Sequence, residues 1–205
     1  MKFVSVVGNG ESRLKFNVNK LDWLGPVIGA NAIFRDYYSD ELVCCDRRMV
    51  QEAVNHGYNN TIYTRENWYK QFSYWPNVTK LPDLPYTGDK RQDDPWHWGS
   101  GGHALNLACT KNPEIIIMLG FDLWGTNSKF NNVYKNSDNY NSSDKPATDP
   151  SYWIYQLAKL FKHYPNIKFI QIQPEDWQMP SEWESYENLF VDSFDALDNL
   201  VASNK

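Results

Sequence analysis

Short apolar runs that end in glycine, asparagine or aspartate recur along this chain, separated by helix-like stretches. Lys2-Phe3-Val4-Ser5-Val6-Val7 passes straight into Gly8-Asn9-Gly10-Glu11-Ser12. Val27-Ile28-Gly29-Ala30 ends at Asn31, Glu41-Leu42-Val43-Cys44-Cys45 ends at Asp46, and Glu114-Ile115-Ile116-Ile117-Met118-Leu119, the strongest strand signal, ends at Gly120-Phe121-Asp122. A strand apolar at consecutive positions is buried on both faces, as in a parallel sheet covered by helices. Helices are expected over 47–56, 65–72, 101–110 and 150–164, and further strands over 60–63 and 167–172. The alternation predicts an α/β fold, a Rossmann-like, mostly parallel sheet flanked by helices. Trp183, Tyr186, Leu189, Phe190, Phe194, Leu197, Leu200 and Val201 form a stripe at helical spacing, so a closing helix is expected over 181–202.

At 205 residues the chain suits a single domain, 1–205. Two stretches depart from the alternation. Residues 73–99 mix prolines with polar and aromatic residues and read as an ordered excursion. Residues 126–149, rich in Asn, Ser, Asp and Tyr, have no clear period. A long irregular stretch inside a domain is characteristic of an active-site lid or of disorder, and a lid-like loop is expected here.

Composition narrows the function classes. A net charge of −5 and a pI near 5.4 argue against nucleic acid as a partner, which calls for a basic patch. Cys44, Cys45 and Cys109 are an odd set without CxxC or Cys/His spacing, which argues against a zinc site or a disulfide framework and for a reducing, cytoplasmic location. Met1-Lys2-Phe3 enters the first strand directly, so no signal peptide is expected, and no apolar stretch approaches the roughly 20 residues of a membrane span. Nine tryptophans are divided between core anchors and loops that would suit sugar or base stacking, with core anchoring favoured for most. The aromatic 73–98 stretch fits an oligomer interface and a loop folded inward equally.

Ligands of open α/β sheets bind at the carboxyl ends of strands, near a switch in strand order. Gly8, Asn9, Gly10, Ser12, Asn31, Asp46 and Asp122 all fall at such ends. In a glycine turn, backbone N–H groups can approach a phosphate because no side chain intervenes and positive φ is allowed. Asn9 and Ser12 add donors. The turn lacks the third glycine of the dinucleotide fingerprint and the Gly-Lys-Ser/Thr of a P-loop, and an ordinary strand-end turn would read alike. A second turn, Gly99-Ser100-Gly101-Gly102, opens a helix whose N-terminal N–H groups favour an anion. Asp122 fits either ordering of the glycine turn or a ribose hydroxyl. Asp46 fits ribose binding, and more readily a cap on the helix from Arg47.

These residues resemble the bacterial sialyltransferases of glycosyltransferase family 42. Gly8-Asn9-Gly10-Glu11-Ser12 is similar to that family's Gly-Asn-Gly-Pro-Ser opening, and Asn31 stands where it has a Cys-Asn pair. Ser100-Gly101-Gly102-His103-Ala104, followed by Ile115 to Leu123, is similar to its Ser-Gly to Gly-x-Asp-Phe block. The same features also resemble the hydroxymethylpterin pyrophosphokinase and flagellin-glycosylation domain. The first resemblance implies a cytidine nucleotide-sugar donor and an acceptor of unspecified kind, with no metal and no further cofactor. It implies that Asn9, Gly10, Ser12 and Asn31 contact the nucleotide, that Ser100, Gly101 and Gly102 hold ribose or phosphate, and that lid tyrosines, here Tyr134 and Tyr140, donate to the leaving phosphate. No Asp-x-Asp pair of metal-dependent glycosyltransferases is present.

Two departures stand out. Glu11 replaces the turn's proline and brings a negative charge beside the phosphate position unless it points away. The family's general-base histidine, before the helix that follows the lid, has no counterpart in Lys145-Pro146-Ala147-Thr148-Asp149-Pro150-Ser151. Asp149 is the local substitute, though a cap on the helix from Pro150 is the favoured role, and His97 or His103 would enter the site from another direction. The competing functions are a magnesium-dependent pyrophosphokinase-like phosphotransferase and a nucleotide-binding module without catalysis.

Overall fold

The computed structural model describes residues 2–85 and 98–205. Eight parallel strands form one sheet in the order β5-β4-β3-β2-β1-β6-β7-β8. They are β1 (Phe3–Val7), β2 (Val27–Ala30), β3 (Glu41–Val43), β4 (Thr61–Thr64), β5 (Val78–Lys80), β6 (Ile115–Leu119), β7 (Lys168–Ile172) and β8 (Leu189–Asp192). The helices are α1 (Arg47–Asn55), α2 (Glu66–Phe72), α3 (Ser100–Thr110), α4 (Ser151–His163) and α5 (Phe194–Ala202). The chain walks outward from β1 to β5, then returns to lay β6 on the other side of β1. The order therefore switches between β1 and β6, where a crevice must open at the carboxyl ends.

Alternate side chains of β1 and β6 enter separate cores. Phe3, Val7, Ile117 and Leu119 pack on one face with Leu21, Ile33, Val50 and Leu197. Val4, Val6, Ile116 and Met118 pack on the other with Leu105, Ala108, Leu157 and Phe161 from α3 and α4. Double-sided burial is why these strands read as continuous apolar runs. Trp98 and Trp183 are fully buried anchors of the second core.

Three elements differ from the expectation. The third strand stops at Val43, because its neighbour β2 ends in register with it at Ala30 and turns away at Asn31 (φ +54°). The 73–99 excursion contains β5, which pairs with β4, whereas 86–97 lies outside the described residues. The 181–202 stripe is not one helix. Trp183 sits in a short 3₁₀ turn, β8 extends the sheet beside β7, and α5 begins only after Ser193, whose side chain accepts the Ala196 N–H at 3.1 Å. Helical spacing of the apolar residues concealed a break that the capping serine marks.

Candidate functional site

The ladder between β1 and β6 runs past both strand ends. Gly8 N–H donates to Leu119 O at 2.8 Å, and Gly10 N–H to Gly120 O at 2.9 Å. This close approach is what demands glycine. A Cβ on Gly8 would lie 2.6 Å from Gly120 O, and one on Gly10 would lie 2.3 Å from the Asp122 carboxyl carbon. Positive φ is used at Gly120 (+74°), while Gly10 is extended at φ −62°, ψ 145°. The first turn is thus selected by contact and not by a left-handed backbone.

Asp122 organises that turn. Its carboxylate accepts from Ser12 N–H at 2.9 Å, from Ser12 Oγ, and from Asn131 Nδ2 at 3.0 Å. Asn131 in turn accepts the Glu11 N–H at 2.9 Å. The Glu11 carboxylate pairs with Lys135 at 2.5 Å, which directs its charge toward the loop and away from the crevice. Sequence reasoning did not single out Asn131; nothing in its irregular surroundings marks it.

On the opposite wall, Ser100 Oγ donates to Asn31 Oδ1 at 2.6 Å and accepts the Cys45 N–H at 2.9 Å. One hydroxyl thereby fixes the start of α3 to the ends of β2 and β3. Glycines 99, 101 and 102 have ordinary φ; a Cβ on Gly101 would press Phe121 at 3.3 Å, and one on Gly102 would meet Gln156 Oε1 at 2.8 Å. Asn9 Nδ2 donates to Ala30 O at 3.0 Å, which orients its amide, and the buried Oδ1 is left without a partner. Asn31 and Leu123 both carry positive φ, at +54° and +63°. Such strain concentrates at functional sites.

Between these walls lies a cavity of about 320 Å³. Gly8, Asn9, Gly10, Asn31, Ser100, Gly101, Gly102 and Asp122 line it, and Ser12 stands behind Asp122. Asp46 lines it too. It occupies the N-cap position of α1 but makes no capping bond, contrary to the favoured expectation. Arg65, Trp124, Trp153 and Gln156 complete the wall without having been read from the sequence. Gln156 carried a signal, as a polar residue inside the apolar stripe Ile154-Leu157-Leu160-Phe161 of α4.

No protein-family profile and no curated protein matches this sequence. Solved structures do. The sialyltransferase CstII from Campylobacter jejuni, in complex with the substrate analogue cytidine-5′-monophosphate, superposes with a TM-score of 0.53 at 17% identity over 83% of this chain and 79% of that one. CST-II with a trisaccharide acceptor and CMP gives 0.52 at 17% identity, covering 100% of both chains. The chain has the CstII fold.

Four candidates for the chemistry are absent from the cavity lining: Tyr134 and Tyr140, which the resemblance implied, and Asp149 and His103, considered in place of the family's histidine. Tyr134 and Tyr140 do not line the cavity. The Tyr134 hydroxyl donates to Asp36 and accepts from Arg13 Nη2 at 2.7 Å, and burial raises its pKa well above the ordinary tyrosine value, so it stays protonated. The Tyr140 hydroxyl sits 3.4 Å from Asn9 Nδ2 and from Ala32 N. Both rings lie near the Arg35 guanidinium, at 5.3 and 5.5 Å, and Arg35 also bonds Glu52, Ser137 and Asp138 O. These contacts dock the 126–149 loop of this CstII-like fold onto the first core. Asp149 is exposed and accepts the Ser151 N–H at 2.9 Å, the helix-terminal role that the sequence favoured.

His103 points into the protein beside Trp98, 4% exposed, and neither ring nitrogen has a partner. Burial, reinforced by Arg65, lowers its pKa to about 3. His97 lies outside the described residues. A histidine held neutral when folded and protonated near 6.5 when unfolded stabilises fully above that pH and progressively less as pH falls toward 3. Urea unfolding between pH 6 and 4 is expected to show a loss of about 1.4 kcal/mol per unit from this group, absent in His103→Leu. An unchanged slope in the variant would place the histidine in contact with water.

Proposed function

We propose that this chain is an inverting, metal-independent glycosyltransferase that uses a cytidine-monophosphate-type sugar donor. The observation that carries the reading is the cavity's position and equipment. It lies at the β1/β6 switch of a fold shared with a CMP-bound enzyme, and its walls present the Asn9 side chain, the Asn31–Ser100 pair and the first N–H groups of α3. The helix terminus suits the phosphate, because its unpaired N–H groups and dipole favour negative charge. As the bond from the anomeric carbon to phosphate lengthens, those fixed donors stabilise the departing oxygen. The acceptor would enter past Trp124 and Trp153 at the open side.

A thermal-shift panel of CMP, CDP, UDP, GDP and ATP, each with and without magnesium, tests the reading. CMP at a hundredfold excess over its dissociation constant is expected to add about 2.7 kcal/mol, or about 5–10 °C in Tm, with no magnesium requirement. Stabilisation by ATP only with magnesium would replace glycosyl transfer with phosphotransfer. No shift with any nucleotide would leave the cavity without a nucleotide role.

A further inference from the structure

Deprotonating an acceptor hydroxyl requires a group that reaches the cavity and has an unspent proton-accepting site. Neither Asp149 nor His103 lines the cavity. Among its described lining residues, the titratable side chains are Cys45, Asp46, Arg65 and Asp122. Arg65 is a cation and the Asp122 carboxylate is occupied by three donors. Cys45 is fully enclosed, and burial pushes its thiol up to about 11. Asp46 is exposed and lines the cavity, and its carboxylate makes no hydrogen bond or ion pair, although its N-cap position would ordinarily engage it with the helix.

We infer that Asp46 is the general base of the transfer proposed above. The acceptor hydroxyl gives its proton to an Asp46 carboxylate oxygen, and the acceptor oxygen forms its bond to the anomeric carbon. The bond from that carbon to the phosphate oxygen breaks, and its electron pair leaves with CMP. Arg65 and Cys45 share the wall with Asp46, Asp122 stands across the cavity, and Arg47 and Arg48 follow Asp46 on α1.

The inference rests on the glycosyltransferase reading, and the experiment separates the two. The full chain is assayed with CMP-linked sugars for donor hydrolysis and for transfer to oligosaccharides, alongside Asp46→Asn and Asp46→Glu. Asparagine is isosteric and an equally good N-cap, so the fold is expected to persist, as judged by circular dichroism and an unchanged CMP-induced Tm shift. Asp46→Asn is expected to lower the kcat of transfer by about 10²–10⁴-fold and to abolish the acidic limb of the pH profile. Asp46→Glu should retain part of the rate with a displaced limb. A raised donor KM with kcat and the acidic limb intact would make Asp46 a sugar contact and overturn its role as base. Full activity in Asp46→Asn would overturn it outright. Absence of turnover in the wild type with every CMP-sugar would overturn both the reading and the assignment.

Discussion

Replacing Asp122 with alanine is expected to abolish nucleotide binding and to cost about 2–4 kcal/mol of stability, whereas asparagine at this position should preserve most of both. The buried carboxylate receives the Ser12 N–H, the Ser12 hydroxyl and the Asn131 amide. Alanine leaves all three donors unanswered and releases the Gly8–Ser12 turn from the loop that closes over it. In asparagine, Oδ1 can still accept from the Ser12 N–H and Asn131, while Nδ2 donates to a rotated Ser12 hydroxyl. The exchange then loses the charge but no bond. Urea unfolding and CMP titration of both variants check the ordering. An alanine variant as stable as the wild type would show that Asp122 does not organise the turn. Loss of binding in asparagine alone, with stability kept, would point to direct contact of the carboxylate with ribose.

The second large effect is expected at Gly120. Alanine there must hold φ near +74° and bring its Cβ within 2.8 Å of Gly8 O and 3.3 Å of the Arg13 Cβ. Left-handed strain alone costs about 1 kcal/mol, and displacing the neighbouring backbone adds roughly 1–3 kcal/mol. Gly57 is the internal control. It has φ +80° but nothing within 4 Å of a Cβ, so alanine there incurs the strain without the collision. Gly120→Ala is therefore expected to unfold about 5–10 °C below the wild type, and Gly57→Ala only a few degrees below it. Equal losses would mean that the β1 and β6 ends do not approach as closely as the hydrogen bonds between them require.

The sheet was legible because double-sided burial writes itself into sequence as unbroken apolar runs; β1 and β6 lie within the runs Lys2–Val7 and Glu114–Leu119 that predict them. β5 and β8 were not legible. Both are edge strands, three and four residues long, and in β8 Phe190 and Val191 are exposed, so neither carries the continuous apolar signature. The strand-end residues of the site were readable because topology alone brings carboxyl ends together, and Gly8, Asn31 and Asp122 meet Ser100, at the start of α3, in one cavity. What the sequence hid were relations across the fold. Asp46 has the local appearance of a helix cap, and only the structure shows its carboxylate unspent on a cavity wall. Tyr134 and Tyr140 have the appearance of lid donors, and only the Arg13–Asp36 and Arg35–Glu52 pairs show where those rings are held. Such distinctions depend on partners more than 100 positions away in the chain, as with Arg35 and Ser137.

The measurement that tests the central claim most directly is a crystal structure of the full chain grown with CMP and without magnesium. The nucleotide is expected in the β1/β6 cavity, with its phosphate at the Ser100–Gly102 end of α3 and its nucleoside beside Asn9. CMP bound at another surface, or a cavity still empty at a concentration that saturates the thermal shift, would contradict it.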